Sequence, residues 1–432
     1  MKWSAVVLSA LLLSAAFALG ADPAPDWVKV TDKAGWQPRD SSGEVVFKDH
    51  LWILGGWFNS FAAPPRDVWS SSDGKTWRLV TKEAPWKHSD LPMTLVFKDR
   101  MYLMGGWFNG RLAGHSASNE VWSSADGEKW EQITRAAGWS PRLAAGVVAF
   151  KGRMWVLGGT ENYYFGNEKS LKNDVWSSAD GKEWKQETAS APWSPRAYHA
   201  AVVHDGKIWV LGGGNYVPTY HALNDVWCSS DGVKWEQMTR KAPWSPRIWF
   251  SSVVYRDRMW VLGGWSNNPS KNWGDVWYSR DGKEWTQLQS KVIWKERHEH
   301  STYVFKDKIW VAGGHAQPLS SEVWSLEIPK DRVPANTADG AGRYFEVSYP
   351  ASDKPGGLQL GVTYTLWVPD NVRKLRGIIV HQHGCGSGAC KGGATAAYDL
   401  HWQALAKKWD CALLGPSSVS YTHLTLPTIL RV

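Results

Sequence analysis

The side chains able to do chemistry in this chain fall into a few recurring sets. One follows paired glycines: Trp57, Trp107, Trp265 and His315, with Thr160 and Gly214 at the equivalent places in two further units. Phe58, Phe108, Tyr163, Tyr164, Tyr216, Tyr220 and Trp273 lie nearby. Aromatic rings beside Asn and Arg can stack on the C–H faces of sugars while polar groups take the hydroxyls; equally, they can pack loops onto the scaffold. A second set is a column of arginines, Arg39, Arg142, Arg196, Arg247 and Arg297, interrupted by Ser89. It is matched by an acidic column, Asp67, Glu120, Asp174, Asp225, Asp275 and Glu322. Opposed columns of this kind can satisfy each other as partly buried pairs. No metal is expected. In a strand, His298 and His300 of His298-Glu299-His300 share a side, but two ligands do not make a site, and no Cys/His spacing matches zinc. No cofactor is expected either.

These residues are placed by a repeat. Glycine pairs begin at Gly55, Gly105, Gly158, Gly212, Gly263 and Gly313, at steps of 50, 53, 54, 51 and 50 residues. Each pair ends an apolar run such as Met154-Trp155-Val156-Leu157, preceded by a second strand signal such as Gly146-Val147-Val148-Ala149-Phe150 and a tight turn. Then come a loop, a run such as Asp174-Val175-Trp176-Ser177-Ser178, an Asp-Gly turn and a further Trp. Short strands joined by such turns are hairpins, four strands to a unit.

Ser194-Pro195-Arg196 before a first strand, Gly212-Gly213 after a second and Asn224-Asp225-Val226-Trp227 in a third resemble the kelch repeat, and the likeness runs over residues 27–326. The Ser-x-Asp-Gly-x-x-Trp hairpin also resembles the Asp-box of sialidase-like propellers, but lacks one residue between Asp and Gly and is read as a turn device. The sixth unit has no fourth strand. Asp26-Trp27-Val28-Lys29-Val30 can supply it from the other end of the chain, closing the ring and removing an open edge. The expected fold is therefore an all-β, six-bladed, kelch-like β-propeller over residues 21–328, closed by an N-terminal strand. Three Trp columns account for much of the total of 32 and are expected to fill the wedges between blades.

Loops after strands two and four share one face, and the long ones, at 57–66, 107–119, 160–173, 214–224, 265–274 and 315–321, all lie there. Recognition is expected on that face, with a polysaccharide, an ester polymer or a protein as ligand. In kelch-like propellers arginines of this slot can line the central pocket and hold acidic ligands. The resemblance thus adds Arg142, Arg196, Arg247 and Arg297 to Trp57, Trp107, Trp265 and His315 as ligand-binding candidates.

Residues 1–20 read as a signal peptide, with Lys2, an apolar stretch over 5–19 and small residues before a cut near Ala21. A secreted or periplasmic protein without a membrane span is expected. The net charge of +8 is spread along the chain without a basic run, which does not suit nucleic acid. Of the cysteines, Cys385 and Cys390 can bridge within one loop, Cys411 lies in a strand-like run, and Cys228 is expected to be a buried bystander.

After a polar linker at 329–342 the pattern changes to strands at 344–349, 362–369 and 377–380, a helical period over 394–409, and a strand from Cys411. With His383-Gly384-Cys385-Gly386 following the third strand, residues 343–417 resemble the opening of an α/β-hydrolase. The His-Gly-Cys run is similar to that of extracellular esterases of the polyhydroxybutyrate depolymerase and feruloyl esterase kind. The resemblance implies an oxyanion loop at His383, Gly384, Cys385 and Gly386, whose N–H groups would meet a developing alkoxide; the alternative is a generic glycine turn. No Gly-x-Ser-x-Gly follows. Residues 418–432 look like translated adapter sequence, so the hydrolase segment is expected to be truncated and inactive as written. Two functions stay open: a propeller serving a serine ester hydrolase, or a non-enzymatic propeller that binds glycan or protein.

Overall fold

In segments such as Gly43–Phe47, Met93–Phe97 and Gly146–Phe150 every second side chain is buried. That period of two calls for a sheet with a packed face. The computed structural model describes residues 25–328, apart from 268, and residues 342–349, 362–369, 376–380 and 411–418. The chain divides into two compact units, Met1–Arg332 and Val333–Val432.

In the first unit six four-stranded antiparallel sheets are the blades of a propeller. Blade one, for example, runs Gly43–Phe47, His50–Leu54, Val68–Ser71 and Arg78–Thr81. The first strands of the six blades neighbour one another in a closed cycle around the axis. Blade six takes its outer strand from the N-terminus: Val28–Thr31 pairs antiparallel with Val323–Leu326, Val28 opposite Ser325 and Lys29 opposite Trp324. Trp27 is 2% exposed and meets Trp294 edge-on at 5.8 Å. The expected closure is therefore present, and the outer strand covers an edge that would otherwise stand open.

The tryptophan columns pack as the wedge between blades requires. Trp36, Trp86, Trp139, Trp193 and Trp244 meet the fourth-strand Trp77, Trp130, Trp184, Trp235 and Trp285 at 5.7–5.9 Å, edge to face. Trp36 and Trp77 share a core cluster with Tyr303 and Trp310 of blade six, so the cores lie between blades rather than within them. The Asp-Gly turns close these wedges. Gly127 has φ +78°, and a Cβ there would lie 2.2 Å from the Trp52 ring of the preceding blade; only glycine fits on both counts. Asp126 Oδ1 accepts the N–H groups of Glu128 and Lys129, and Ser124 Oγ accepts that of Gly127. The Ser-x-Asp-Gly segment is a turn device, as its spacing suggests.

Several of the long loops prove to be hairpins. In blades three and four the second and third strands continue past the glycines, as Arg153–Thr160 with Leu171–Ser178 and Lys207–Asn215 with His221–Ser229. The register slips at Leu157/Gly159 and Leu211/Gly213. The positive-φ glycines form bulges that re-aim the ribbon instead of ending it. Cys228 is buried in the core between blades four and five, and burial pushes its thiol pKa up.

In the second unit Gly342–Tyr349 pairs antiparallel with Val362–Pro369, which pairs antiparallel with Cys411–Ser418. That last strand runs parallel to Gly377–Val380. Trp367 is fully buried. The four strands expected from the sequence are thus present. The signal peptide, the 394–409 helix, His383 to Gly386, the Cys385/Cys390 pair and the tail beyond Ser418 lie outside the described residues. No helix among the described residues is long and apolar enough to cross a membrane.

Blade closure carries a pH signature. Glu322 receives Arg297 at 2.8 Å and Lys29 at 3.0 Å. Burial opposes its charge, but the hydrogen bonds from Arg297, Lys29 and Trp324 outweigh it and hold its pKa at about 2, below the ordinary 4.5. A depressed carboxyl stabilises the fold above its unfolded pKa and loses that contribution as pH falls through the folded value. Between pH 4.5 and 2 the closure of blade six is expected to weaken. Thermal melts across that window should fall less steeply for Glu322→Gln, which starts lower at neutral pH; parallel curves would refute the assignment.

Candidate functional site

Each first strand is entered through a short run at the long-loop face, and that run builds the site. Arg142 donates Nη1 to the carbonyl of Gly158 at 2.9 Å, forks onto both oxygens of Asp174 at 2.6 and 3.0 Å, and donates Nε to the Ser140 carbonyl. Arg39, Arg196 and Arg247 repeat the pattern, Arg297 meets a single oxygen of Glu322, and the ion pairs of the four to Asp67, Asp225, Asp275 and Glu322 span 2.5–2.8 Å. The same acids accept the indole N–H of the third-strand Trp69, Trp176, Trp227, Trp277 and Trp324 at 2.7–3.2 Å. Arg142, Arg196, Arg247 and Arg297 are at most 1% exposed. These four candidates sit within the blades as ties between strands, and none of them lines the central cavity.

The two residues after each arginine (Asp90 and Leu91 after Ser89) turn toward the axis. The first pairs with the residue following Gly-Gly: Asp40 with Trp57, Asp90 with Trp107, Leu143 with Thr160, Ala197 with Gly214, Ile248 with Trp265 and His298 with His315. The second is Ser41, Leu91, Ala144, Tyr198, Trp249 or Glu299, and all six have φ between 49° and 58°. Left-handed backbone at bulky residues is strained and persists only where the surroundings enforce it. Here backbone hydrogen bonds link them around the axis: Ser41 N to Glu299 O, Leu91 N to Ser41 O, Ala144 N to Leu91 O, Tyr198 N to Ala144 O and Glu299 N to Trp249 O.

This annulus lies at the base of a cavity of about 240 Å³ that opens on the long-loop face. Its walls include Trp57, Trp249, Trp265, Tyr163, Tyr164 and Tyr216. Tyr163 stacks on Tyr164 at 4.1 Å, Trp249 lies 4.8 Å from Tyr216 and 5.2 Å from Trp265, and the Arg111 guanidinium sits 4.1 Å above Tyr164. The floor holds Asp40, His298, Glu299 and His315. Burial raises the pKa of Asp40, Asp90 and Glu299 well above the carboxylate range, and for Asp90 the charges of Glu299 and Asp40 raise it further. Burial also lowers the pKa of His298 and of His315.

Of the candidates after Gly-Gly, the structure brings Trp57, Trp265 and His315 to the cavity. Trp107 is placed differently. It is 1% exposed, donates its indole N–H to Gly110 O at 2.8 Å and lies under His115 at 5.3 Å. It is a packing residue because its own loop folds back over it. His298 and His300 also separate. His298 stacks on His315 at 4.9 Å, whereas His300 packs against Trp294 at 5.4 Å, since the left-handed Glu299 between them breaks the strand alternation. The sequence reading passed over Asp40, Asp90, Tyr198, Trp249 and Glu299. Their signal was present: like the residue after Gly-Gly, these columns vary from unit to unit while the arginine column just before them is nearly uniform.

The model of the KLHDC2/KLHL20/DRC7 Kelch-repeats domain matches residues 41–241. Together with six four-stranded blades around one axis, this makes the first unit a kelch-type β-propeller, a fold that serves as a binding and scaffold module. Curated proteins similar to the chain share only stretches of it. The dynein alpha chain of the flagellar outer arm of Chlamydomonas reinhardtii is 28% identical over 177 residues, 36% of this chain and 4% of that one. The leucine-zipper-like transcriptional regulator 1 homolog of Drosophila melanogaster is 28% identical over 138 residues, 29% and 13% of the two chains. The Ras guanine nucleotide exchange factor F of Dictyostelium discoideum is 28% identical over 108 residues, 23% and 9%. The match therefore covers between 4 and 13% of these relatives' lengths.

The arginine ties set a stability test. Arg196→Ala leaves Asp225 buried beside an empty slot and is expected to cost about 3–5 kcal/mol. Arg196→Lys should recover little of it, because an ammonium cannot fork onto the carboxylate while also meeting the Gly212 carbonyl. Urea unfolding of the two variants measures this; a lysine variant as stable as wild type would contradict the bidentate role.

Proposed function

We propose that the propeller is the recognition module of an exported protein, taking one ring or comparable unit of a polysaccharide or ester polymer into its axial cavity. The observation that carries this reading is a cavity with aromatic walls and a hydroxyl-binding floor. Trp57 and Trp265 offer faces for stacking, and Asp40, Glu299 and the Tyr163 hydroxyl offer acceptors and donors. At about 240 Å³ it lies below the roughly 300–1,000 Å³ of pockets for drug-sized ligands, a size suited to a single unit of a longer chain. Around its mouth Phe61, Leu112 and Phe165 stand 70, 37 and 50% exposed, on loops tied together by Arg111 N to Ser60 O and by His115 on Phe165. That apolar rim favours a second reading, a protein partner as the ligand of a non-enzymatic propeller.

The second unit is read as the opening of an ester hydrolase. Supporting this, its parallel pair Gly377–Val380 and Cys411–Ser418 is joined by residues 381–410, ample for the crossover that parallel neighbours require. The candidate oxyanion loop follows Val380, at the carboxyl end of a strand, where open α/β sheets place their ligands.

Trp57→Ala and Trp265→Ala are expected to weaken retention on insoluble polysaccharides or polyesters several-fold while melting close to wild type, since both rings are only half-buried. Trp107→Ala should instead lower the melting temperature sharply, a fully buried Trp being worth about 3–5 kcal/mol. Unchanged retention in the first two variants on every polymer, with capture of a protein ligand, would favour the second reading. For the hydrolase segment, the 432-residue chain is expected to turn over p-nitrophenyl esters only at background. An oxyanion loop stabilises charge that exists only during nucleophilic attack, and no nucleophile motif is present. Turnover that survives changing every serine between 343 and 417 to alanine would sink the serine-hydrolase reading.

A further inference from the structure

The floor of the cavity departs from the pairing seen at the blade entries. Asp174 and Asp225, the buried acids of the blades, each have an arginine. Asp40, Asp90 and Glu299 are as deeply buried, and none of them is paired with lysine or arginine among the described residues. Asp40 meets Ser41 Oγ at 3.1 Å and His315 Nδ1 at 3.3 Å. Glu299 meets the Tyr163 hydroxyl at 3.4 Å and His298 Nε2 at 3.6 Å. Asp90 is 1% exposed, and neither of its carboxylate oxygens has a hydrogen-bond partner. Three carboxyls gathered without a compensating charge are costly to bury in ionised form, and a bound cation is one way to offset that cost.

The imidazoles beside them are prepared as ligands. Asn272 donates Nδ2 to the His315 carbonyl at 2.8 Å, which turns its Oδ1 toward His298 Nδ1 at 2.7 Å. His298 therefore carries its proton on Nδ1 and presents the Nε2 lone pair to the floor, the arrangement by which a second residue fixes a metal-binding histidine. One donor atom from each of Asp40, His298 and His315 lies within 4.8 Å of the others. A zinc ion about 2.0–2.2 Å from nitrogen and oxygen donors holds tetrahedral neighbours roughly 3.4 Å apart. The His315–Asp40 separation of 3.3 Å already matches, and the stacked rings of His298 and His315 must turn for both lone pairs to converge on one ion.

We propose that Asp40, His298 and His315 bind a divalent cation of the zinc type at the floor of the axial cavity, with Glu299 beside them as a further donor. Two imidazoles and a carboxylate suit zinc better than calcium or magnesium, which take all-oxygen sets. Such a site keeps a coordination position toward the cavity, where hydroxyl or carboxylate oxygens of a ligand can bind. The proposal stands apart from the polymer reading, because metal binding is measured with no polymer present.

The test uses the full chain without a histidine tag, stripped with chelator and titrated with Zn²⁺ by calorimetry and with Co²⁺ by visible absorption. One equivalent of Zn²⁺ and the d–d bands of Co²⁺ bound by nitrogen and oxygen are expected. His298→Ala, His315→Ala and Asp40→Asn should each weaken Zn²⁺ at least about tenfold, while His50→Ala on the opposite face leaves it unchanged. Should a ligand variant fail to fold, Asn272→Ala keeps all three ligands and is expected to raise the Kd about 10–100-fold, the usual effect of removing such a support. Absence of a Zn²⁺ equivalent in wild type, or equal binding by wild type and a folded His315→Ala variant, would overturn the proposal.

Discussion

The propeller depends on one buried interaction, the tie of an arginine to a carboxylate at the start of five of its six blades. The guanidinium of Arg196 joins three strands at once. It rises from the entry to the first, meets the Gly212 carbonyl at the bulge of the second and grips Asp225 within the third. A buried charge pair of this kind contributes little net stability when weighed against apolar residues, but it is strict about geometry. In the blades that carry it, it ties the entry of strand one to the glycine bend of strand two and to strand three. Blade two, with Ser89 in place of the arginine, keeps the backbone path through Gly56 N to Ser89 O and Ser89 Oγ to Pro65 O.

The cavity follows from that constraint. In five blades the arginine ties down the entry to the first strand; in all six, Leu91 after Ser89 included, the next two residues turn inward and the second takes left-handed backbone. Trp249 and Glu299 are held there at φ 58° and 50°, conformations that a free chain would avoid. The surrounding annulus over-determines them, so the strain is available for positioning side chains that a relaxed loop would not hold still. Trp249, His298 and Glu299 project into the cavity for this reason, and the packing of the rings around them follows.

Division of labour between the faces has the same origin. On the tight-turn face, lysines of the first hairpins reach the next blade's turn, as Lys48 does to Ala125 O and Lys98 to Ala179 O. That face is occupied in holding blades together. The opposite face carries the hairpins and loops that vary in length, and only there do aromatic side chains, carboxyls and imidazoles converge from several blades at once. The cavity at the axis and the apolar rim around it both lie on that face.

The sequence alone determined the blade number, the closure by residues 28–31, the role of the Asp-Gly turns and the face on which a site would lie. Each of these is written locally and repeated, so a period of about 50 residues multiplies a weak signal into a firm one. The strands of the second unit were legible for a similar reason, as apolar runs of strand length bounded by turns. The identity of the site was not. Asp40, Asp90, Tyr163, Trp249 and Glu299 come from five different units and approach one another only because the ring closes. No spacing along the chain encodes that approach. Tertiary structure also decided which rings are walls and which are packing, since Trp57 and Trp107 occupy the same repeat position. Only the fold of the loop above Trp107, tied down by its indole bond to Gly110, separates them.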